Sequence, residues 1–185
     1  MNRFAYISLR IPSLLLIVGV ITIVLPSTAG PAEQPAEAPE PEALRGVTGV
    51  EVVVDPLDVE IEERGLQTSA LQQDIKQRLQ KAGMNVVTER ERLKTPTAAK
   101  LMIRVDTLHD RIGRYFYSVD LFVTQRVRLE SREGVELSAV TWMKFGSIGT
   151  VADDNVKHIE TQVLQKTDQF TKDYLAVNPD RKVKR

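Results

Sequence analysis

Residues 115–129, YFYSVDLFVTQRVRL, limit what this chain can fold into more than any other stretch. Tyr115, Tyr117, Val119, Leu121, Val123, Val127 and Leu129 share one parity, interrupted only by Gln125. Phe116, Ser118, Asp120, Phe122, Thr124, Arg126 and Arg128 share the other. A repeat of two places these sets on opposite faces of an extended strand, one toward a core and one toward water. Fifteen extended residues span roughly 50 Å, so the strand needs partners along its length and is expected to bend or bulge.

Partners are available on both sides. Residues 100–108, KLMIRVDTL, alternate with Leu101, Ile103 and Val105 inward, and a turn containing Gly113 joins them to the long strand. Residues 135–145 return after a second turn at 131–134, which makes a three-stranded antiparallel meander. Leu137, Ala139, Thr141, Met143 and Phe145 lie on one parity of the return strand and Val140 and Trp142 on the other. A bulge or a one-residue slip exchanges the two sets, so the inward face of this strand stays open.

Upstream, residues 47–54 are β-branched and end at Asp55-Pro56, a first strand. Residues 58–64 suggest a helical turn stopped by Gly65, and 69–82 form the first full helix, with Leu71, Ile75 and Leu79 on one stripe. Ser69 and Gln72 have capping-box spacing there, and Gly83 stops the helix. A short strand at 84–88 follows, and this order favours a parallel, right-handed crossover. Residues 89–96 read as a charged, solvated connection. A helix over 153–176 carries Val156, Ile159, Val163, Thr167, Phe170 and Tyr174 on one stripe, with Asp153 and Asp154 as cap and first-turn acids, and ends at Asn178-Pro179. The expected fold is α+β, a two-layer sandwich: a mixed five-stranded sheet, βαβ then antiparallel meander, with two helices on one face.

The flanks set location. Arg3 and Arg10, an apolar run over 11–25 and small residues up to Ala29 have the layout of a secretory signal peptide, 1–29. The run is shorter than the ~20 residues of a spanning helix, so export to the periplasm or beyond is expected, with inner-membrane anchoring by 11–25 as the alternative. Loss of 1–29 removes two basic groups and no acid, leaving a formal charge of −2. Residues 30–45 are rich in Pro, Glu and Ala and read as a linker; 46–179 form the domain, and Arg181, Lys182, Lys184 and Arg185 lie in a basic tail, 180–185.

The balance of 25 basic and 25 acidic groups gives no basic field for nucleic acid, and no nucleic-acid partner is expected. Absence of cysteine excludes disulfides, thiolate metal sites, a Cys nucleophile and an acylated Cys. His109 and His158 are the only histidines and fit no zinc spacing, so no metal or cofactor is expected. Residues 146–150, GSIGT, have the glycines of an anion cradle without the Lys of a P-loop, and read better as the end of a strand. Phe116, Phe122 and Trp142 are the candidates for an apolar binding patch on the sheet face opposite the helices.

The fragments Thr141-Trp142, Gly146-Ser147-Ile148-Gly149-Thr150 and Tyr174-Leu175-Ala176-Val177-Asn178-Pro179 resemble a group of uncharacterised exported bacterial α/β proteins, a resemblance that implies export and a compact domain. The layout is also similar to small lipopolysaccharide-assembly lipoproteins and to the N-terminal domain of the Tol translocation protein, which act by docking other envelope proteins. Those lipoproteins carry an acylated Cys that this chain lacks. The function expected is a non-enzymatic envelope module that binds a protein partner, or an envelope lipid or glycan, through the uncovered sheet face or a sheet edge. Membrane contact is expected only with an uncleaved signal. The alternative is a small periplasmic hydrolase using Asp or Glu with His109 or His158.

Overall fold

The structure, a computed structural model, describes residues 41–179; the expected signal peptide over 1–29, most of the expected linker and the expected basic tail lie outside them. Four strands run in sequential order across one sheet: β1 Gly49–Val54, β2 Ala98–His109, β3 Arg114–Arg128 and β4 Glu136–Ala152. β1 and β2 are parallel, whereas β2, β3 and β4 form the antiparallel meander. The fifth strand position, expected over 84–88, narrows to one parallel bridge from Val86 to Val50 on the outer side of β1. The bridge holds because Val50 N donates to Asn85 O and Val87 N donates to Val50 O. The sheet is thus mixed, and the sandwich is α+β as the alternation requires.

Helices α2 Thr68–Lys81 and α4 Lys157–Val177 cover one face. Leu71, Ile75 and Leu79 of α2, and Ile159, Val163, Thr167, Phe170 and Tyr174 of α4, are buried, the same stripes that the 3.6-residue period marks. Beneath them lie Val50 and Val52 of β1, Leu101 and Ile103 of β2, and Val119, Leu121 and Val123 of β3, each 2% exposed or less. The core is a single connected cluster, because every inward parity faces the same helical layer.

Local contacts differ from expectation at three places. α2 begins one residue earlier than its Ser69 signal, and its N-cap makes no side-chain bond. Thr68 instead ties the helix to its predecessor α1, Val59–Glu63: its hydroxyl donates to Glu62 Oε1 at 2.6 Å and accepts from Leu57 N at 3.1 Å. The capping box lies further on, where Thr88 and Glu91 bond reciprocally at the start of α3, Glu89–Lys94. The stretch read as a charged loop is therefore a short helix, and Arg92 on it pairs with the buried Glu51 of β1. Glu51 is on the outward parity of β1, so α3 caps the β1 corner of the otherwise uncovered face.

Ordered chain also reaches back into the stretch read as linker. A 3-10 helix, Pro41–Leu44, buries Leu44 completely and is tied to the end of α4: Asn178 Nδ2 donates to Leu44 O at 2.9 Å, and Gly46 N donates to Asn178 Oδ1 at 2.9 Å. Asn178 reads in sequence as a helix stop, and in space it joins the two ends of the domain. Among the described residues no helix is long and apolar enough to cross a membrane.

Candidate functional site

β4 decides which side chains the uncovered face presents. It pairs with β3 in three registers, with irregularities between Val123 and Thr124 and between Val119 and Leu121. Trp142 stands opposite Val123, whereas Val140 stands opposite Thr124, so Thr141 is the extra residue of a bulge. Val140 and Trp142, equal in parity, consequently face opposite sides. Trp142 turns into the core at 1% exposure, meets the Phe170 ring edge-on at 5.2 Å between centroids, and donates from Nε1 to Asp173 Oδ2 at 3.3 Å. This corrects the reading of Trp142 as part of a surface patch: the bulge assigns its ring and its one polar atom to the α4 side.

Phe116 and Phe122 do lie on the uncovered face, by their parity on β3. Phe116 is 41% exposed, next to Leu108 at 69% and Ile148 at 85%, and these three line a shallow recess of about 260 Å³. Phe122 is half-buried in an adjoining apolar groove of about 250 Å³ with Val140 and Met143. Each Phe has a guanidinium over its ring: Arg114 over Phe116 and Arg104 over Phe122, both at 5.6 Å from the centroid. Both arginines are tethered from behind, Arg114 by Asp110 and Arg104 by Asp55, so they rim the apolar surface with their charge already balanced. Leu108 is legible in sequence from the outward parity of Arg104 and Asp106. Ile148 is not, because it lies within the glycine-containing segment 146–150.

That segment is β strand throughout, with Ser147 opposite Val119 and Gly149 opposite Tyr117. A Cβ on Gly149 would sit 2.5 Å from the Tyr117 hydroxyl, so the glycine makes room for an inward tyrosine. One side of its backbone is engaged in the ladder with β3, and its extended path differs from the turn that an anion cradle requires.

A second cluster surrounds His109. Its Nε2 lies 2.9 Å from Asp153 Oδ1 and its Nδ1 3.9 Å from Glu60 Oε2, while the ring stacks on Tyr115 at 4.4 Å. Arg64, the C-cap of α1, reaches the other Asp153 oxygen at 3.1 Å and donates from Nε to the Tyr115 hydroxyl at 3.0 Å. That hydrogen bond, aided by the charges of Asp153 and Glu60, holds the guanidinium above its ordinary pKa. Asp153 is therefore no helix cap; it joins α1, the end of β2 and the start of the last helical segment. Sequence pairs neither Arg64 nor Glu60 with His109, since each is more than forty residues away.

A cleft of about 380 Å³ opens beside His109, lined by Asp58, Glu60, Thr107, Leu108 and Tyr115. The hydroxyl of Thr107 donates to Asp58 at 2.5 Å, and both ring nitrogens of His109 face carboxylates. The cluster therefore sets one imidazole between two carboxylates, and among the described residues no hydroxyl or amine side chain is hydrogen-bonded to that imidazole. His158 is exposed on the first turn of α4, edge-on to Tyr117 at 6.3 Å and 3.3 Å from Gln162 Nε2, away from any carboxylate in hydrogen-bond reach. Among the described residues no three His, Asp or Glu side chains form a metal-holding group.

No protein-family model matches the chain, and no curated protein does. Among solved structures it is similar to a minor lipoprotein of Acinetobacter baumannii, with 11% identity over 71% of this chain and 93% of that one and a TM-score of 0.33. It is also similar to a lipoprotein of Neisseria meningitidis, with 15% identity over 66% of this chain and 99% of that one and a TM-score of 0.33. Likeness at that level carries no argument about what this chain does.

Proposed function

We propose that the chain is a non-enzymatic, exported envelope module that docks a protein partner on its uncovered sheet face. The carrying observation is the triad Leu108, Phe116 and Ile148, exposed by 69, 41 and 85% side by side on a face that α2 and α4 leave bare. Clustered apolar exposure of this kind marks interaction surfaces in soluble proteins. The Arg-over-Phe pairs add a polar rim to it, an arrangement common at interfaces. Export is supported by the basic, apolar and small-residue layout of residues 1–29.

The test is site-specific photocrosslinking of the full chain in its native cell envelope, from positions 116 and 122 on the bare face and from Thr161 on the exposed side of α4. A discrete protein adduct from 116 and 122, lost when Leu108 and Ile148 are both changed to Ser and not formed from 161, supports the reading. Adducts to lipid or glycan at 116 and 122 move the assignment to those ligands, and equal labelling at all three positions overturns it.

One observation favours the hydrolase reading, the 2.9 Å contact of His109 with Asp153 beside an open cleft. It predicts turnover of a simple ester or phosphodiester that is abolished by His109→Ala and Asp153→Asn and retained in His158→Ala. Equal rates in all variants remove it.

A further inference from the structure

The two edges of the sheet differ. The β1 edge is closed by the Val86 bridge and flanked by α3, whereas no strand of the described residues pairs with the outer edge of β4. β4 is the longest strand, 17 residues, and carries only two charged side chains, Glu136 and Lys144. The stretch 145–152 has no charge and no proline. Soluble proteins normally defend so long an edge with charge, proline or a covering segment, because its free N-H and C=O groups template the addition of another strand. At its centre stands Ile148, 85% exposed, between exposed Gly146 and Thr150. After Ala152 the chain turns toward the β2–β3 turn, where Asp153 N donates to Gly113 O, and so leaves this end of the edge open.

We infer that β4 pairs with β4 of a second copy, antiparallel about a two-fold axis at Ile148, to join two sheets into one of eight strands. The occupant is a second copy because this segment is complementary to itself. An axis at Ile148 sets Ile148 opposite Ile148, Ser147 opposite Gly149 and Gly146 opposite Thr150, with no charge meeting its like. Lys144 falls opposite Ala152 of the other chain, eight residues from its own counterpart. Pairing also covers the most exposed large apolar residue and brings the two Leu108–Phe116 patches onto one continuous face. A two-fold pairing of this kind closes on itself, consuming both open edges, so assembly stops at two chains. The pairing shares Ile148 with the partner reading above, and chain mass on one side and adducts from 116 and 122 to a protein other than this chain on the other tell the two apart.

Directly opposed residues of antiparallel strands have Cα atoms about 4.5–5.5 Å apart, within disulfide range. The natural chain has no cysteine, so Ile148→Cys in the full chain carries one thiol. Mild oxidation is expected to convert most of it to a species of twice 20.8 kDa, while Thr161→Cys stays single. The unmodified full chain in mild detergent should have a two-chain protein mass by light scattering at about 50 μM. Ile148→Lys and, separately, Thr150→Lys should halve that mass while leaving the circular-dichroism spectrum of the folded chain unchanged. A one-chain mass for the natural sequence, or equal dimer from 148 and 161, overturns the pairing. A one-chain mass with intact adducts from 116 and 122 leaves the partner reading standing, and a two-chain mass without those adducts does the reverse.

Discussion

Trp142 and Ile148 are six residues apart on one strand and of equal parity, yet one is 1% exposed and the other 85%. Trp142 lies beneath α4 against Phe170 and Asp173; Ile148 stands on the bare face near Phe116. What separates them is the second irregularity of β4, opposite Asp120, which adds one residue between Lys144 and Ser147. A bulge costs one ladder position and reverses every side chain beyond it, so two such insertions let one strand serve a core and a surface. The covered face carries the stability of this domain, and the bare face is free to carry interaction.

The largest test of that division is Trp142→Ala. It leaves a cavity against Phe170 and an unpaired Asp173, and a loss of about 3–5 kcal/mol in denaturant unfolding is expected. A loss under 1 kcal/mol would mean that Trp142 is not core. Next is Gly149→Ala, whose new Cβ would sit 2.5 Å from the Tyr117 hydroxyl and 2.6 Å from its ring; displacing a buried tyrosine should cost about 1–3 kcal/mol. Tyr117→Leu in the same chain should recover part of that loss, and absence of recovery would place the strain elsewhere.

Arg92→Ala probes the β1 corner, where α3 covers the otherwise bare side among the described residues. It strands the carboxylate of Glu51, which is 8% exposed, and roughly 2 kcal/mol should be lost, less than for a fully buried pair because Arg92 keeps partial access to water. Glu51→Gln with Arg92→Ala should restore most of it. The smallest effect belongs to Ile148→Ser and Phe116→Ser, each expected to change the stability of the single chain, measured at high dilution, by no more than about 0.5 kcal/mol. A cost above 2 kcal/mol for either would make the bare face structural and end its separation from the core.

Much of the fold is legible along the chain because it rests on local periodicity. Alternation over β2 and β3, and the stripes of α2 and α4, identify core residues correctly from Leu71 to Tyr174. The candidate site is legible only in part. Phe116 and Phe122 follow from the parity of β3, an uninterrupted pattern. Trp142 does not follow, since a bulge has no signature in the alternation that it breaks. Ile148 lies in the segment 146–150 that reads as the end of a strand, where the flanking glycines give no face to follow, and one of them, Gly149, is there to admit Tyr117. The spacing of Thr88 and Glu91 is that of a capping box, and it opens α3 inside the run of charge that reads as a solvated connection.

By itself, then, the sequence determined which segments extend, which coil, and which parity of β2 and β3 is apolar, because these depend on neighbours within a few residues. Tertiary structure alone decided which way Trp142 and Ile148 face, that Asp153 turns from helix cap to partner of His109 and Arg64, and that among the described residues one sheet edge is closed by a bridge while the other pairs with no strand. Each of those outcomes depends on strand pairing or on residues dozens of positions apart, and local free energy leaves them undetermined until the chain has closed on itself.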